Sequence, residues 1–165
     1  MSLSRRQFIT LGALCATSFI VQPLFACPST KGIVEAAKTF VGSTKYKDDV
    51  SSDSAQLCFD IYRKAKVRLR SSVTNARDIR MLARHRPQRV QSLDLLKGSI
   101  MVWKETASDL PYFALYLGNR KILTSWQYTS SFIAQPRVTT ISYNKASRWP
   151  DFVGYIPFYT IISGE

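Results

Sequence analysis

Apolar positions in the first half of the chain recur at helical spacing, whereas those in the last two-fifths fall in short, closely set runs. Ile33, Val34, Ala36, Ala37, Phe40 and Val41 mark one amphipathic helix, with Gly42 as its stop. Leu57, Cys58, Ile61, Tyr62 and Ala65 form the stripe of a second, for which Ser52 or Asp53 is the candidate cap. Ala76, Ile79, Leu82 and Ala83 suggest a third, with Thr74 as cap. Beyond it, β-rich runs cover 99–104, 112–117, 122–126, 137–142 and 152–156, and Gly118-Asn119 marks a tight turn between the second and third. Helices followed by closely spaced strands predict an α+β domain, its N-terminal helices packed on an antiparallel sheet of about five strands, because the connections are too short for parallel crossovers.

The first 26 residues have another pattern. Arg5 and Arg6, within Ser4-Arg5-Arg6-Gln7-Phe8, precede an apolar stretch reaching Phe25, and no acidic residue occurs before Glu35. That is the layout of a twin-arginine export signal, which places the product in the periplasm or cell envelope. The exit reads two ways. Leu24-Phe25-Ala26-Cys27 resembles a lipobox that would make Cys27 an acylated, membrane-anchored first residue, and plain cleavage after Ala26 is the alternative. The resulting organisation is a signal over 1–26, a short linker over 27–30 and one domain over 31–165.

Charge narrows the class of partner. The chain carries 23 Lys and Arg against 11 Asp and Glu, a formal +12, and removal of the signal leaves 21 against 11, a formal +10. Such a balance favours anionic partners, and export turns the choice away from nucleic acid and toward envelope material or an anionic membrane surface. The basic residues concentrate at Arg63, Lys64, Lys66, Arg68, Arg70, Arg77, Arg80, Arg84, Arg86 and Arg89, with Asp78 the single acid among them. A charge run of this kind is either a solvated face or a patch for lipid headgroups, phosphates or wall carboxylates. One histidine, His85, and three scattered cysteines offer no metal-ligand cluster, and no cofactor is expected. Cys27 and Cys58 remain in the mature chain and can pair only if Cys27 is not acylated. Cys58 falls in an apolar stripe, so a relocated Cys58/His85 nucleophile and base is the lesser reading beside a buried core cysteine. Trp103, Trp126, Tyr128, Tyr143 and Trp149 suit either a groove for sugar or peptide or the faces of the sheet.

Set in order, the segments between Gly32 and Tyr155 resemble the NlpC-type family of cell-wall cysteine peptidases, a papain-like fold. Phe40-Val41-Gly42 and Tyr46 stand where the family closes its first helix. Asp53-Ser54-Ala55-Gln56-Leu57 stands in place of its Asp-Cys-Ser-Gly-Phe, Leu95 to Trp103 in place of its strand entry, and Tyr112-Phe113-Ala114-Leu115-Tyr116-Leu117-Gly118-Asn119 in place of its His-Val-Gly-Ile-Tyr-Leu-Gly-Asn. Trp149 and Phe152-Val153-Gly154 match the closing pattern. The resemblance puts Ser54 at the nucleophile position, Tyr112 at the base and Thr124 at the third polar position, and it implies a ligand groove lined by Tyr46, Asp53, Ser54, Tyr112 and Thr124. A serine needs an adjacent base, and a phenol with a pKa near 10 is a poor one at neutral pH. The expectation is therefore a non-catalytic member that binds peptidoglycan, stem peptides or an envelope protein. The alternatives are a remodelled hydrolase or acyltransferase using Ser54, and a basic interaction module for anionic envelope surfaces.

Overall fold

The first helix, α1 (Thr30–Lys38), buries Ile33, Ala36 and Ala37. It ends before the apolar pattern does, since the amides of Thr39, Phe40 and Val41 each bond three residues back, tightening the last turn. Gly42 then takes a left-handed φ of +86° and turns the chain away, leaving Val41 51 % exposed rather than on the buried stripe. The computed structural model describes residues 30–85, 95–104 and 108–163. The segment expected to be an export signal, with Arg5 and Arg6, and Cys27, nearly all of the expected linker, Arg86 and Arg89 lie outside the described residues.

The second helix, α2 (Val50–Lys64), starts earlier than either predicted cap allows. Asp49 is the cap, accepting from the amide of Ser52 at 2.7 Å, and Asp53 reaches back to the amides of Asp48 and Asp49 at 2.8 and 3.1 Å. Two carboxylates thus satisfy the N–H groups that a helix start leaves without partners. Ser52 and Asp53 lie inside the first turn, and Ser54 inside the second. In α3 (Ala76–His85) the capping acceptor is Asn75 rather than Thr74, bonding the amides of Arg77 and Asp78, while the Asp78 carboxylate takes the amides of Thr74 and Asn75.

Five strands follow: β1 (Ile100–Lys104), β2 (Pro111–Gly118), β3 (Lys121–Tyr128), β4 (Phe132–Ser142) and β5 (Phe152–Ile156). All pairings are antiparallel and the order is β4-β3-β2-β1-β5, so four strands run as a meander and β5 returns to cover β1. This is the α+β arrangement predicted from the apolar pattern. The β2–β3 hairpin turns on Asn119 and Arg120, with φ of 50° and 55°, as a two-residue loop of this hand requires. β4 begins at Phe132, five residues before its predicted start, and its ladder breaks where Thr124 faces Thr139 but Trp126 faces Ala134. Within that break Val138 leaves the ladder for the α1 exit: its amide donates to the Ser43 carbonyl at 2.8 Å, and its carbonyl accepts from Gly42 at 2.9 Å. The one-turn helices α4 (Tyr143–Ala146) and α5 (Phe158–Ile161) carry no signal of their own in the sequence.

Alternation along the strands separates two apolar layers. Ile100, Val102, Phe113, Leu115, Leu123 and Ile156 pack with α1, α2 and α3. On the opposite face Met101, Trp103, Tyr112, Ile122 and Trp126 pack with Ala146, Trp149 and Tyr155. In this second layer Trp103 and Trp126 meet edge to face at 5.0 Å, and both contact Trp149, at 5.8 and 5.0 Å. The tryptophans thus form a core rather than line a groove, and Tyr128 and Tyr143 pack partly buried at its margin.

Candidate functional site

The buried face of α2 meets the start of β2, and polar groups join the two. Ser51 Oγ donates to the Pro111 carbonyl at 2.7 Å. Ser54 Oγ donates to the Ser51 carbonyl at 3.1 Å and accepts from the Phe113 amide at 3.2 Å. The structure therefore brings Ser54 beside the strand that carries Tyr112, the juxtaposition the sequence resemblance implies. What it does with the two side chains is different. Ser54 is 0 % exposed, and its one proton and one of its acceptor sites are used in holding helix to strand. Tyr112, the residue on β2 just before the one that Ser54 holds, is 6 % exposed and belongs to the aromatic layer, its ring 4.3 Å from that of Phe132 and 5.8 Å from that of Trp126.

Thr124 is 0 % exposed and bonds locally: its hydroxyl donates to the Trp126 carbonyl and accepts from the Trp126 amide, at 3.1 and 3.2 Å. These bonds bridge the break in the β3–β4 ladder around Ser125. Asp53 is half-buried and committed to the start of α2. Tyr46 is buried elsewhere, donating its hydroxyl to Asp60 Oδ2 at 2.7 Å. Asp60 lies six residues beyond Ser54, a rise of roughly 9 Å along the helix. Of the five groove positions, Ser54, Tyr112 and Thr124 thus present next to no surface, and Tyr46 belongs to a separate cluster.

That cluster, Tyr46 with Asp60, Gln56 and Lys45, was not singled out in the sequence, because its members are spread over 16 residues of loop and helix. Asp60 accepts from Tyr46, from Gln56 at 2.8 Å and from Lys45 at 3.1 Å. Burial alone would raise its carboxyl pKa, but hydrogen bonds from Tyr46, Gln56 and Lys45 outweigh burial and hold it below the ordinary value of 3.8. Burial, followed by the Asp60 contact, pushes the Tyr46 phenol well up, so it stays protonated. A carboxyl depressed in the folded state stabilises the fold fully above its unfolded pKa, and that contribution is lost as pH falls through the folded value. Denaturation midpoints measured from neutrality down to about pH 2 should fall below about pH 4, and less steeply in Asp60→Asn than in the wild type.

Cys58 is a free thiol in the core, and burial pushes its pKa well above the ordinary value. His85 is exposed at the end of α3. A thiol held protonated and away from solvent is a poor nucleophile, so Cys58 is a core residue. In a chain of residues 27–165 carrying Cys27→Ser, alkylation of native Cys58 is expected to run at least ~10³-fold slower than in denaturant, since reaction must await unfolding. A rate within about tenfold of the denatured one would restore Cys58 as a reactive group.

The basic residues divide among several surroundings. Arg63 and Lys64 stack near Phe59 and Phe40, with 5.9 and 5.4 Å to the ring centroids. Arg70 donates to the carbonyls of Tyr159 and Ile162, while Lys66 and Arg68 are exposed. Arg77, Arg80 and Arg84 share α3. Among the described residues no group of His, Cys, Asp and Glu is arranged to hold a metal ion.

No protein-family profile matches the sequence. No curated protein matches it either. Among solved structures, the chain is similar to NlpC1 from Trichomonas vaginalis, with 15 % identity and a TM-score of 0.47 over 79 % of this chain and 45 % of that one. It is likewise similar to NlpC2 from the same organism, with 15 % identity and a TM-score of 0.44 over 77 % and 44 % of the two chains. The chain spans less than half the length of either structure.

Proposed function

We propose that this is an exported NlpC-type domain of the cell envelope that has given up catalysis and binds wall material or a wall-enzyme partner. The observation that carries the reading is the state of Ser54. Its hydroxyl, at the position the family resemblance gives to the nucleophile, is buried and used on both sides in joining α2 to β2. A serine acts as a nucleophile when a base withdraws its proton and substrate reaches it. Here the proton goes to a backbone carbonyl, and the position of the base holds a tyrosine whose ring is packed among other aromatics. Binding then falls to exposed groups, and the net positive charge of the mature chain matches polyanionic envelope material.

The test is to incubate the mature protein with peptidoglycan and muropeptides and read soluble products by mass spectrometry beside Ser54→Ala. Retention on the insoluble wall without products is the expected result. Products that disappear in Ser54→Ala would overturn the reading and make the protein a hydrolase using Ser54.

A further inference from the structure

We propose that a cleft between α3 and the start of β2 is a binding site for a phosphate group, held by Arg77, Arg80 and Arg84. The three arginines are spaced i, i+3 and i+7, which puts them on one side of α3. They line a cavity of about 200 Å³ whose other walls include Ser51, Met81 and Leu110. Arg80 is half-buried, and its Nη1 donates to Ser52 Oγ at 3.0 Å, which fixes its guanidinium against the first turn of α2. One donor is used there, and a guanidinium has five.

Carboxylates near this cleft are engaged otherwise. Asp78 accepts from Thr74 and Asn75, Asp49 from Ser52, and Asp53 from the amides of Asp48 and Asp49. The ion pairs among the described residues are Lys38–Glu35, Lys45–Asp60 and Lys104–Asp109, and none includes Arg77, Arg80 or Arg84. Among the described residues, three arginines without a salt bridge therefore line one small cavity, and Asp78 offsets only part of the charge of Arg77. A single carboxylate would leave most of that charge unmatched, whereas a phosphate monoester brings nearly two negative charges and three oxygens that fit the guanidinium fork. Met81 and Leu110, 39 % and 41 % exposed, border the same cavity and give the carrier of the phosphate an apolar contact. A lipid headgroup and a soluble phosphate ester share this chemistry. The inference does not depend on whether Ser54 is catalytic.

Titration calorimetry with inorganic phosphate, and co-sedimentation with phosphatidylcholine vesicles with and without phosphatidic acid, test it on the mature protein. Binding should weaken roughly tenfold or more for each arginine changed to Gln, and Arg80→Lys, which keeps the charge but loses the fork, should also weaken it. A control with Lys31, Lys38 and Lys121 changed to Gln removes as much charge as all three arginine changes together and should bind as the wild type does. Binding to both probes, lost with the arginines, supports the site for any phosphate, and binding to vesicles alone supports it with a lipid as the source. Absence of binding to either probe, or equal losses in the arginine and lysine variants, would overturn it. Circular dichroism of each variant confirms that folding is retained.

Discussion

Replacing Trp126 with Ala is expected to lower the unfolding free energy by about 3–5 kcal/mol. Trp126 is fully buried in the layer opposite the helices, with ring contacts to Trp103 at 5.0 Å, Phe132 at 4.9 Å, Trp149 at 5.0 Å and Tyr112 at 5.8 Å. Its Nε1 donates to the Phe113 carbonyl at 2.6 Å. Truncation removes one of the largest buried side chains, opens a cavity among rings that cannot all close in, and leaves that carbonyl without its donor. Trp126→Phe retains much of the volume and should cost less, chiefly the lost N–H. Urea denaturation measures both through the midpoint at unchanged slope. A loss below about 1.5 kcal/mol in Trp126→Ala would mean that the neighbouring rings repack to fill the space.

Ser54→Ala should behave as a stability mutation and not as a catalytic one. It deletes the acceptor of the Phe113 amide and the donor to the Ser51 carbonyl, both buried between helix and sheet. Leaving a buried amide without a partner costs about 1–3 kcal/mol. The expected outcome is a lowered denaturation midpoint with the wall assay unchanged. The reverse, full stability together with loss of a measured turnover, would mean that the hydroxyl works in solution as a reacting group.

These two residues also mark how far the sequence could be read. Short apolar runs located β1, β2, β3 and β5 within a residue or two, because strands covered on both faces of a sheet read as near-continuous apolar segments. The first half of β4 was lost, because it borders the sheet, is more exposed and carries Pro136 and an irregular ladder. The caps were misplaced as well. Asp49, Ser52 and Asp53 are all good capping residues, and nothing local chooses among them; the structure uses Asp49, with Val50 packed at the edge of the aromatic layer. Motif order placed Ser54 near Tyr112. That Ser54 is sealed, and that the two side chains belong to different surroundings, follows from which face of β2 meets α2, and this depends on residues about sixty positions away.

The excursion of Val138 has a consequence for what happens when copies of this chain meet. β4 borders the sheet, and an open border of eleven residues invites another strand to add to it. Pro136 has no amide to offer, Arg137 sets a charge there, and both backbone groups of Val138 are already taken by Gly42 and Ser43. The border is thus broken midway into pieces too short to template a second chain, a built-in guard against aggregation.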